Sequence, residues 1–155
     1  MTVENWTIEK ALKTGAEMEL ESYNLYTKTA ETVKFPGAKK LLSEIAEDEK
    51  RHRNYFLKGL EDPANIQTRT LHEKIPDLKI TDQLVNVPLD ADADYQTILI
   101  FAAQREKATH DFYVQIARKF KEEEWGKMFN NFATEELRHK YLLEKEYDDV
   151  VLAEN

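Results

Sequence analysis

The chain has 155 residues, 34% of them charged and 41% apolar, a formal net charge of −8 and no cysteine. These figures describe one ordinary domain, residues 1–155, with enough apolar residues to bury a single core, and they exclude a disulfide framework, Cys-ligated zinc and iron–sulfur or rubredoxin-type centres. The acidic balance argues against a phosphate-backbone binder, since nucleic-acid binders usually show a basic face and the run 119–121 is too short to count as one. No basic segment followed by an apolar one opens the chain, and no stretch approaches the roughly 18 apolar residues of a membrane span. Neither a nucleic-acid nor a membrane partner is expected, and a cytoplasmic location is.

Pro36, Pro63, Pro76 and Pro88 all fall outside the periodic segments and act as punctuation. The pattern between them predicts four helices. The first covers about 8–34, with Thr7 as N-cap, and is broken by Phe35-Pro36-Gly37; the second runs on to about 60. A crossover spans 61–93. The third helix covers about 94–120 and the fourth about 123–147, with their boundary placed near Trp125-Gly126, and the acidic end, 148–155, is expected to fray. The run Glu122 to Glu124 reads as a solvated helix boundary, and Trp6 and Trp125 as packing or interface groups.

Each helix carries a stripe at helical spacing. On the first it is Leu12, Ala16, Glu19, Tyr23, Tyr26, Ala30 and Val33; on the third, Leu99, Ala103, Glu106, His110, Tyr113, Ala117 and Phe120. The second presents Leu42, Ile45, Glu49, His52 and Phe56, and the fourth Phe129, Phe132, Glu136, His139 and Leu143. The fold class is therefore all-α, a four-helix bundle of two antiparallel hairpins. The crossover is far longer than the few residues that join antiparallel neighbours. A helix of about 24 residues is about 36 Å long, so a chain returning along that length starts the third helix parallel to the second, which relates the hairpins by a two-fold axis. Ile75, Leu78, Ile80, Leu84, Val85 and Val87 predict a crossover that packs on the bundle, and His72 reads as a surface residue.

A glutamate followed thirty residues later by Glu-x-x-His occurs twice, 87 positions apart: Glu19 pairs with Glu106, Glu49 with Glu136 and His52 with His139, and Tyr26 and Arg51 recur as Tyr113 and Arg138. In a chain this rich in glutamate, chance supplies one Glu-x-x-His about half the time, whereas a second copy in register is rarer by roughly two orders of magnitude. The coincidence reads as a duplicated helical hairpin carrying half a metal site per copy. Carboxylates on an apolar seam are costly to bury, and four of them balance two divalent cations in charge. Glu and His at i and i+3 project from one helical face toward one metal, and this array is the general one of ferritin-like di-iron and di-manganese carboxylate proteins.

Through Glu19-x-x-Ser22 ending in Tyr26, Glu49-Lys-Arg-His52, Glu106 followed by Phe112-Tyr113, and Glu136-Leu-Arg-His139, the chain resembles the rubrerythrins of the ferritin-like superfamily over essentially its whole length. The resemblance implies a ferritin-like four-helix bundle holding two iron ions, with manganese accepted by the same O/N donors. It implies that Glu49 and Glu136 bridge the metals, Glu19 and Glu106 are terminal, His52 and His139 each cap one metal, and Tyr26 and Tyr113 donate to the carboxylates. Where rubrerythrins carry a second acid one turn beyond the third helix's glutamate, this chain has Thr109 and His110, and it lacks their Cys-rich electron-delivering domain. His110 holds the inward position that Tyr23 occupies in the other half, which suits tuning of the site, holding a substrate proton, or a hydrogen-bonded core histidine. The expected function is reduction of hydrogen peroxide, an oxidative-stress defence, with electrons from an external donor protein and a homodimer as the assembly. Ferroxidase or O₂-using oxidase chemistry uses the same centre, iron storage in a shell is a further class, and metal binding without turnover is the remaining one.

Overall fold

Helices form where the apolar stripes and their caps place them. The computed structural model describes residues 2–64, 74–84 and 93–154. These form α1 (Ile8–Thr32), α2 (Pro36–Glu61), α3 (Tyr95–Lys119) and α4 (Glu124–Glu154), with a single 3₁₀ turn at Thr81–Gln83 and no strand among the described residues. The all-α class and the two helical hairpins are as the sequence predicts.

The ends have local causes. Thr7 caps α1 by accepting from the Lys10 N–H at 3.1 Å, and α1 stops at Val33, which turns to extended backbone. Pro36 sits inside the start of α2, where a missing N–H costs nothing, and not outside the helix as the punctuation reading had it. At the third helix, Asp94 accepts from the Thr97 N–H at 2.8 Å. The turn before α4 falls earlier than Trp125-Gly126: Glu123 N–H bonds Phe120 O at 2.9 Å and Gly126 N–H bonds Glu123 O at 3.0 Å. Gly126 is required there, since a Cβ would lie 2.0 Å from the Phe120 carbonyl oxygen. The expected fraying of 148–155 is corrected, because α4 is helical through Glu154. Tyr147, Val150 and Val151 are partly buried and extend the stripe of Leu143, so propagation outweighs the local acidity.

The chain divides into two compact units, Met1–Arg69 with Ile116–Lys127, and Thr70–Gln115 with Met128–Asn155. In the first, α1 and α2 pack as a hairpin around Leu12, Ala16, Leu42, Ile45 and Phe56, all buried. Trp125 closes one end, seated so tightly on Gly59 that a Cβ there would lie 2.4 Å from the indole, with its N–H donating to Pro63 O at 2.9 Å and its ring edge-on to Tyr55. In the second, Leu99, Ala103, Phe129, Phe132 and Leu143 are buried, and Tyr113 meets Phe129 edge-on at 5.4 Å between ring centres. The described part of the crossover belongs to this unit. Ile75 and Ile80 are half-buried, but Leu78 and Leu84 are exposed, so apolar packing is not its main attachment. Val85, Val87 and His72 lie outside the described residues.

Asp94 gives a test of helix capping. Hydrogen bonds from the Thr97 side chain and backbone hold its carboxyl below the usual carboxylate range. Its stabilisation is therefore present above the ordinary carboxylate pKa and is lost as pH falls through the depressed folded value. Asp94→Ala is expected to cost about 1 kcal/mol at pH 7, a fall of about 2–4 °C in thermal midpoint. The gap between variant and wild type should shrink in acid; a gap that holds at every pH would show that the carboxylate is not the cap.

Candidate metal centre

In the first unit, α1 supplies Glu19 and α2 supplies Glu49 and His52 one turn apart, on the side of the helix that also buries Ile45 and Phe56. All three are wholly buried. His52 Nδ1 lies 3.5 Å from Glu19 Oε1, and each of the three residues offers a donor atom within 4.8 Å of the others. In the second unit, α3 supplies Glu106 and α4 supplies Glu136 and His139, again buried to 1% exposure or less. His139 Nδ1 lies 3.7 Å from Glu106 Oε2 and 3.8 Å from Glu136 Oε2, with donors again within 4.8 Å of one another.

The 87-residue repeat thus holds in three dimensions within each unit. Burial repeats with it: Leu12 and Leu99, Ala46 and Ala133, Ser22 and Thr109, and Tyr26 and Tyr113 are buried in both copies. In each unit two carboxylates and one imidazole share a space closed to solvent, which costs several kcal/mol per uncompensated ion. An imidazolium offsets at most one of the two charges, whereas one divalent cation offsets both. Two donors about 2.1 Å from a shared cation stand about 3–3.5 Å apart, so gaps of 3.5 to 3.8 Å need only a small inward movement. Two oxygens and one nitrogen suit iron, manganese or zinc. The donor set in each unit fits a metal.

His110 departs from the inward position assigned to it by the stripe. Its side chain is about a quarter exposed, and Nδ1 lies 3.0 Å from Asp111 Oδ1 at the surface. Asp111, the carboxylate beside the ring, is not part of the stripe that contains His110. Tyr26 and Tyr113 are fully buried, as a role beside the carboxylates requires.

A second cluster of charge was not anticipated. Lys140, next to His139, is sealed at 1% side-chain exposure, and its ammonium meets Asp77, Asp82 at 3.1 Å and Glu144 at 2.9 Å. Burial alone would push the Lys140 pKa down, but hydrogen bonds to Asp77, Glu144 and Asp82 outweigh it and hold the ammonium above its ordinary value. Asp77 answers in kind: burial would raise it, and the bonds from Lys140 and the Lys79 N–H lower it below the usual carboxylate range. Lys140 and Glu144 at i, i+4 were legible as a helix pair. Their burial was not, because the carboxylates that complete the cluster come from the crossover.

The rubrerythrin family model matches residues 2–60, the segment that holds Glu19, Glu49 and His52. The resemblance stated from the motifs is thereby shown for the first hairpin. No curated protein and no solved structure matches the chain. Among the described residues, no helix is long and apolar enough to cross a membrane.

Metal should stabilise these buried donors by mass action, about 4 kcal/mol at a thousandfold excess over the dissociation constant. Because protons compete with metal for carboxylate and imidazole, the gain should grow from about pH 5 to 8. Thermal melts of chelator-stripped and metal-loaded protein read this directly. Coincident melting curves across that range would mean that the glutamates and histidines hold no metal.

Proposed function

We propose that this chain, rubrerythrin-like over residues 2–60, binds two metal ions through Glu19, Glu49, His52, Glu106, Glu136 and His139 and, loaded with iron, reduces hydrogen peroxide. The observation that carries this reading is recurrence: the same three donor types, in the same helical register and at the same burial, stand in both hairpins. Together the two sets offer four carboxylates, which two divalent cations neutralise. Glu49 and Glu136 are the bridging ligands in this reading, Glu19 and Glu106 the terminal ones, and His52 and His139 the two caps.

When bound, a ferrous pair supplies the two electrons that, with two protons, convert one peroxide molecule into two of water. The chain's own residues do the rest. The six side chains fix the ions. Leu12, Phe56, Leu99, Phe129 and Leu143, buried one to two turns along the stripes from the donors, help keep bulk water from the carboxylates, where low dielectric strengthens every charge interaction. Tyr26 and Tyr113 orient carboxylates from two turns beyond Glu19 and Glu106. With no cysteine among the 155 residues, no Cys-ligated iron centre within them can return electrons, so a donor protein outside them closes the cycle.

The same centre suits ferroxidase or oxidase chemistry with O₂, and the oxidant decides between them. The anaerobically reduced protein is expected to hold two irons per chain and to be oxidised by peroxide much faster than by O₂. Glu49→Ala or Glu136→Ala should lose both metals, whereas His52→Ala should weaken mainly one. Faster reaction with O₂ and accumulation of ferric mineral would move the assignment to ferroxidase, and a native stoichiometry near one would refute the paired site.

A further inference from the structure

The two hairpins differ behind their donor sets. Subtracting 87 places Lys140 at the register of Arg53, Glu144 at that of Leu57 and Gln104 at that of Glu17. Arg53 is half-buried, Glu17 exposed and Leu57 36% exposed, whereas Lys140 and Glu144 are both sealed at 0%. The repeat itself therefore does not require burial at these positions; the crossover segment 77–84 supplies it.

That segment is tied down polar group by polar group. Lys140 Nζ meets Asp77, Asp82 and Glu144, and the other oxygen of Glu144 accepts from Thr81 N–H at 2.7 Å and from the Thr81 hydroxyl at 3.0 Å. On the α3 side, the Gln104 amide donates to Thr81 O at 3.2 Å and Leu84 O at 3.3 Å. Lys79 holds a left-handed φ of 55° and donates its N–H to Asp77 Oδ1 at 3.1 Å, a bend that brings Asp77 back toward Lys140. The strap thus joins α3, two residues before Glu106, to α4, one residue after His139. A buried ion cluster is a poor way to gain stability, since apolar replacements often do as well, but it fixes register. A strap held only by leucines could slide; one threaded by Lys140 between three carboxylates cannot.

We infer that Lys140 is a positioning residue: with Glu144 it locks the 77–84 strap across α3 and α4 and so holds Glu106, Glu136 and His139 in place before metal arrives. This rests on the metal-binding reading above. The first hairpin has Arg53 and Leu57 at the corresponding positions and, among the described residues, no matching strap, so the two metal equivalents should differ, the one at Glu106, Glu136 and His139 binding more tightly.

Anaerobic titration with Co²⁺, followed by calorimetry and by the ligand-field absorption of the bound ion, tests this without turnover. Wild type should take up two equivalents of unequal affinity. Lys140→Met should weaken one of them by about tenfold or more, the scale of effects from groups behind metal ligands, and alter its absorption band. Lys140→Arg should restore both, and Arg53→Met at the matching register should change neither. In a His52→Ala background the Lys140→Met effect should persist, and in a His139→Ala background it should vanish. Should Lys140→Met fail to fold, Thr81→Val, which removes one strap hydrogen bond, should weaken the same equivalent by less. Unchanged binding in the Lys140 or Thr81 variant, or equal weakening of both equivalents, would overturn the inference. Wild type taking up no Co²⁺ would instead overturn the reading on which it rests.

Discussion

A glutamate sealed from water is the constraint on which this molecule turns. Glu19, Glu49, Glu106 and Glu136 are all at 1% exposure or less, in seams lined mostly by leucine, isoleucine, alanine and aromatic side chains. An apolar side chain of similar volume at any of these positions would stabilise the helices more, because burying a carboxylate forfeits its hydration. The stripes are otherwise regular enough to specify the hairpins without them. What the glutamates and the histidine beside each pair supply is a set of hard oxygen and nitrogen donors close enough together that they could hold a cation.

Much of this was legible in one dimension because helices translate spacing into direction. A period of alternating three and four residues put Glu49 and His52 on the face of Ile45 and Phe56, and the 87-residue repeat identified the same face in the second hairpin. What escaped the sequence reading depends on contacts between distant segments. The end of α4 was judged from the charges of Asp148 and Asp149, while partly buried Val150 and Val151 carry the helix on to Glu154. Register alone places His110 inward, whereas its ring is about a quarter exposed and lies beside the Asp111 carboxylate. The crossover looked apolar, yet its described residues are fastened by Asp77, Thr81 and Asp82 to Lys140 and Glu144, partners about sixty residues away that no local pattern connects.

That fastening also gives the repeat a direction. Two hairpins with the same donors would bind two metals alike if nothing else differed, but the strap lies over one set of helices and, among the described residues, has no counterpart at Arg53 and Leu57. Duplication explains why the donors come in two sets; the asymmetric crossover explains how two such sets can acquire different rigidity. The strap is polar where it meets α4 and needs its register fixed, whereas the seams beneath are apolar except at the donors. Charge thus plays two parts in one hairpin: Lys140 ties the strap to α4, and Glu106 and Glu136 belong to a donor set that could hold a metal.

Whether the two three-residue sets act as one centre, as the proposed function requires, is read by electron paramagnetic resonance of the iron-loaded, oxidised protein. Two ferric ions sharing the carboxylates of Glu49 and Glu136 should couple magnetically, so a sample holding two irons per chain should show almost none of the ferric signal that its iron content would give if the ions were isolated. A full-intensity signal from two independent ferric ions would contradict the account, because each hairpin would then hold its metal alone.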